Sequence, residues 1–65
     1  MANRKFQLDQ RVRTPLGDGT IDTMPYCEET DVYGVWLDRP HINTAGVNEG
    51  HWQPVSEEQI EVINA

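Results

Sequence analysis

Apolar residues in this chain alternate with polar ones over short runs, and Gly, Pro, Asn and Asp separate those runs. Alternation is the period of a strand, whose successive side chains point to opposite faces, whereas a helix brings apolar residues back at three and four. That helical return is absent before the last ten positions. The pattern restricts the chain to an all-β fold. With 65 residues it is expected to form one domain over 1–65, with residues 1–5 as an N-terminal arm. A chain of this length buries only about 60% of the surface that it exposes when unfolded. Disulfides within the chain are excluded, because Cys27 is its one cysteine. Association with itself or with a partner is the remaining common support for so small a core.

The strands can be placed from the alternation and its breakers. Residues 10–14 form a first strand with Val12 inward and Arg11 and Arg13 outward. Residues 15–19 are a turn in which Gly17 and Gly19 are free to take positive φ. Residues 20–24 follow as a second strand with Ile21 inward, ended by Pro25. Val32–Leu37 is the strongest strand, combining β-branched and aromatic residues. Its Tyr33, Val35 and Leu37 share one face, while Val32, Gly34 and Trp36 share the other, so Tyr33 and Trp36 cannot both enter a single-sided core. Residues 38–50 make a long loop, of the length that usually marks function or mobility. Residues 51–55 read as a fourth strand interrupted by Pro54, residues 56–59 as one 3₁₀ turn behind Ser56, and residues 60–63 as a closing strand. The expected core is Val12, Ile21, Val35, Leu37, Ile60 and Val62.

Five short strands with a single helical turn before the last is the layout of an SH3-like barrel, and closure would remove the exposed edges. A five-stranded OB-like barrel is the second candidate, although the chain has no room for the helix that fold places between its third and fourth strands. The segment from Phe6 through Arg11-Val12-Arg13 to Gly17-Asp18-Gly19-Thr20-Ile21 resembles the openings of several SH3-like barrel families, among them the photosystem I E subunit and the nitrile hydratase β-subunit core. It is most similar to the plasmid-borne type II dihydrofolate reductases, whose ending Ile60-Glu61-Val62-Ile63-Asn64 also resembles. The resemblance implies a homo-oligomeric oxidoreductase with its site between subunits, and an ungapped match puts Gln53 at the family's active-site glutamine. The chain departs from that pattern elsewhere. Trp52-Gln53-Pro54-Val55 stands in place of a Val-Gln-Ile-Tyr strand, and Thr14 stands where the family carries its pore lysine.

Charge and chemistry narrow the function further. The net charge is −6, and ten of the eleven carboxylates follow Arg13, against Arg39 alone among basic residues. Such a field repels nucleic acid as a partner, even with Arg4, Lys5, Arg11 and Arg13 clustered at the start. No apolar run reaches the roughly 20 residues of a membrane span, and a lone thiol suits a reducing cytoplasm. The acid–base candidates Asp22, Glu28, Glu29, Asp38, His41 and His51 show no catalytic spacing, and a small barrel has no cavity for a substrate. Cys27, His41 and His51 are too scattered for a structural metal, so neither metal nor cofactor is expected. Aromatic residues carry the better signal: Tyr26, Tyr33, Trp36 and Trp52 accompany a single Phe. An exposed Trp beside a long loop is a typical anchor for a partner. The expected function is a non-catalytic protein-binding or assembly module, of the kind a phage or mobile element encodes as a small accessory protein. Its candidate contact residues are Tyr33, Trp36, His51, Trp52 and Gln53, with a protein partner or a second copy of the chain as ligand.

Overall fold

The computed structural model describes residues 5–25 and 29–63. The candidates Arg4, Tyr26, Cys27 and Glu28 lie outside these residues, as does most of the expected N-terminal arm. Five strands form one antiparallel sheet: β1 (Arg11–Thr14), β2 (Gly17–Thr23), β3 (Val32–Leu37), β4 (Trp52–Ser56) and β5 (Glu61–Val62). A single 3₁₀ turn, Glu57–Gln59, precedes β5. The order across the sheet is β4-β3-β2-β1-β5, so β4 and β5 are its edges and the sheet is open.

The hairpin between β1 and β2 is tighter than the composition of residues 15–19 suggests. Thr14 pairs with Gly17, leaving Pro15 and Leu16 alone in the turn. Pro15 supplies a fixed φ, and Gly17 takes a φ of +126° that a side chain would resist. The Thr14 hydroxyl donates to the Gly17 carbonyl at 2.8 Å and accepts from the Leu16 N–H at 3.1 Å, so this buried polar group is satisfied inside the turn. Gly19 has no positive φ; it is a buried strand residue, where a Cβ would strike the Trp36 carbonyl.

The core lies on one side of the sheet. Val12, Ile21, Val35, Leu37, Val55 and Ile60 are buried there together with Phe6 and Tyr33, and Met24 packs against them. Phe6 and Tyr33 meet edge to face at 5.5 Å, the arrangement that ring quadrupoles favour. Phe6 therefore belongs to the core rather than to an arm, and the Asp9 N–H ties its segment to the Ile21 carbonyl at 2.9 Å. One expected core residue is misplaced by the sequence pattern. Val62 is 44% exposed: it pairs with Val12, but on a two-residue edge strand with no further strand beyond it. Asp22 is the extra residue of a bulge, because Ile21 pairs with Val35 and Thr23 with Gly34. A bulge increases local twist and bends the strand.

The long loop is folded on itself. Ile42 bridges Asn48, and the Asn43 side-chain oxygen accepts from the N–H groups of Ala45 and Val47 at 2.9 and 3.0 Å. His41 and Gly50, and Glu49 and His41, close its base with backbone hydrogen bonds. Among the described residues no helix is long and apolar enough to cross a membrane.

Candidate functional site

Register decides which of the aromatic candidates share a surface. Gly34 pairs with Pro54 and Trp36 with Trp52, so these four residues stand on the outer face, opposite the core. The Leu37 N–H donates to the His51 carbonyl at 2.8 Å, making Leu37–His51 a hydrogen-bonded pair. Alternation along the ladder then makes Trp36–Trp52 and Gly34–Pro54 the closer, non-hydrogen-bonded kind, with Cα atoms about 4.5 Å apart. Pro54 thus costs the sheet nothing: the N–H that it lacks would have pointed away from β3, toward the free edge.

Trp36 is 51% exposed and Trp52 42% exposed. Each is held by a different neighbour. The His51 ring stacks on Trp36 with centroids 5.1 Å apart and planes only 5° from parallel. His51 Nδ1 lies 2.8 Å from the Leu37 carbonyl oxygen, which can only accept, so Nδ1 carries the proton and the ring is fixed over the indole. Trp52 instead lies across Gly34. A Cβ at that glycine would sit 2.6 Å from two atoms of the indole ring, so only glycine leaves room for this packing. The Trp52 indole N–H donates to the Thr23 hydroxyl at 3.3 Å, and that hydroxyl donates to Asp22 at 3.4 Å.

The two remaining candidates belong to the other side of the sheet. Tyr33 is fully buried, and its phenol donates to the Glu57 carboxylate at 2.6 Å. It serves as a core residue and reaches the outer face only among the residues that line a groove, not as a contact ring. The reason is the strand's own alternation, which sends Tyr33 inward with Val35 whenever Trp36 points outward. Gln53 pairs with Val35 on the inner face, half-buried, and its amide donates to the Glu49 carbonyl at 3.2 Å. Trp36, His51 and Trp52 are therefore brought together, and Tyr33 and Gln53 are separated from them.

Charged groups border this aromatic surface at one end. In the row Arg11, Thr20, Trp36 and Trp52, the Arg11 guanidinium holds both oxygens of Asp38 at 2.7 Å and also donates to the Thr20 hydroxyl at 3.2 Å. Hydrogen bonding from Arg11, aided by its charge, keeps the Asp38 carboxyl below the usual aspartate range. Among the described residues no group of three or more His, Cys, Asp or Glu is placed to hold a metal ion. His41 does approach Glu49, at 3.5 Å, but as a clasp across the loop base.

Alternation puts Gly34 on the face of Trp36, but nothing in the sequence adds Thr23 or Pro54 to this surface. Only Pro54 opposite Gly34 in register, which the strand lengths do not state, brings them beside Trp52. The geometry defines a small all-β domain with an ordered aromatic face on its outer side. Comparison with known proteins adds no name to that class: no family model, no curated protein and no solved structure matches the chain.

Proposed function

We propose that this chain is a non-catalytic binding or assembly module that docks a protein partner on the outer face of its sheet, through Trp36, His51 and Trp52. One observation carries the reading. Two half-exposed tryptophans stand side by side on β3 and β4, each pinned by a specific neighbour, on the side of the sheet away from the core. Rings that are already ordered lose little conformational freedom on binding, which is what makes an aromatic anchor efficient. In this reading the sheet curls into an SH3-like barrel. The strand order, the bulge at Asp22 and the 3₁₀ turn before β5 support that architecture. The single cysteine supports work in a reducing, cytoplasmic setting.

The test is selection from a random displayed peptide library on the immobilised domain, followed by NMR mapping of the selected peptides. The reading expects peptides that move the indole resonances of Trp36 and Trp52, and whose binding falls on Trp36→Ala. Peptides that bind but move only residues of the opposite side would overturn it.

A further inference from the structure

The outer face changes character along the strands. Toward the Gly34–Pro54 pair it forms an open groove of about 190 Å³, lined by Trp52, Val32, Met24 and Gly34 among others. Small-molecule pockets begin at roughly 300 Å³. This groove is smaller, shallow and mostly apolar, a fit for one side chain of a larger ligand. Acidic residues adjoin its lining in sequence. Asp22 reaches it through the Thr23 hydroxyl that holds the Trp52 indole, and Glu29 and Asp31 are exposed on either side of the lining residue Thr30. No lining residue is Lys or Arg, and among the described residues no salt bridge engages Asp22, Glu29 or Asp31. The basic strand residues sit elsewhere and are paired, Arg11 with Asp38 and Arg13 with Asp18.

We infer that the groove receives an apolar side chain from a protein segment carrying Lys or Arg next to it. This rests on the binding reading above and gives its partner a chemistry. Exposed carboxylates next to the lining residues Thr23 and Thr30, none of them in a salt bridge among the described residues, attract a cationic flank and repel an acidic one. A second copy of the chain, at a net charge of −6, would bring like charge to like. Main-chain pairing along the neighbouring edge is also disfavoured, because Pro54 removes the donor at the middle of β4, so the contact is made by side chains.

The experiment uses the full chain labelled with ¹⁵N and three sets of short capped peptides. All carry a central Leu or Val, flanked by Lys in one set, Ser in the second and Glu in the third. Lys-flanked peptides should move the Gly34 amide and the Trp52 indole N–H, and Glu-flanked peptides should leave both in place. The combined variant Asp22→Asn, Glu29→Gln, Asp31→Asn, which touches only exposed side chains, should bind the Lys set roughly tenfold more weakly. Equal responses to the Lys and Ser sets, or unchanged affinity in the combined variant, would remove the charge argument and the proposal with it. Movement of the same two resonances on concentrating the protein alone would assign the groove to a second copy and overturn it as well. A response confined to Trp36 and His51, or none to any set, also overturns the groove, while the library selection separately decides the wider binding reading.

Discussion

Tyr33 shows what a single side chain contributes here beyond its area. Its ring fills the core against Phe6, and its phenol reaches the Glu57 carboxylate in the 3₁₀ turn, fastening that turn to β3. A buried hydroxyl with a charged acceptor is worth more than an average hydrogen bond, so Tyr33→Phe should lower stability by about 1–2 kcal/mol in chemical denaturation. A cost near zero would mean that Glu57 does not hold the ring. Arg11 and Asp38 offer a second check at this scale. Hydrogen bonding from Arg11 depresses the Asp38 carboxyl below its unfolded value, with burial working the other way. The pair's stabilisation is therefore present above the ordinary aspartate range and is lost as pH falls through the lower, folded value. Both groups are exposed, so the effect on stability is small and the titration itself is the readout. In ¹³C-detected NMR the Asp38 carboxyl should titrate below the usual aspartate range and return toward it in Arg11→Met. Neither partnership was visible from spacing, since Tyr33 and Glu57 are 24 positions apart and Arg11 and Asp38 are 27 apart.

At the scale of elements, β3 was the easiest to read and β5 the hardest. Val32–Leu37 has the bounds that its composition predicts, because β-branched and aromatic side chains fill both of its faces. β5 has only two residues, and its edge position exposes Val62, which alternation alone would have sent inward. β4 raises a different point. Pro54 reads as an interruption in sequence but sits within the strand, because its missing donor faces the free edge. The same geometry makes it a guard on that edge. Pro54→Val would restore a donor between Trp52 and Ser56, and light scattering should show more concentration-dependent association than in the wild type. Unchanged mass across the same concentrations would show that the edge is protected by something else. The loop at residues 38–50 was legible as a loop from its Asn, Gly and Pro content, but not as a small hydrogen-bonded hairpin closed by Asn43.

For the molecule as a whole, the resemblance to type II reductases and the aromatic surface lead to different expectations. The reductase reading depends on Gln53, which the sheet places on the inner face with its amide committed to the Glu49 carbonyl. Pro54 and Val55 follow it where the family has Ile and Tyr, and Thr14 supplies no positive charge for a cofactor phosphate. Hydride transfer tolerates little misplacement, and about 1 Å can cost 10²-fold. The purified chain, mixed with NADPH and dihydrofolate, should therefore leave the absorbance unchanged. Turnover abolished by Gln53→Ala would establish the reductase instead.

The sequence by itself determined the all-β class, the approximate strands, most of the core and the opposition of Tyr33 and Trp36. All of these follow from local alternation and turn chemistry, which act between near neighbours. The tertiary structure set Trp36 opposite Trp52, and it brought Gly34, Thr23 and Pro54 beside Trp52. It also drew Phe6 into the core and left Val62 on the rim. Those outcomes depend on strand order and register, which arise from pairings between residues far apart in the chain. A one-residue slip would invert every side chain of a strand, so no local pattern carries that information alone.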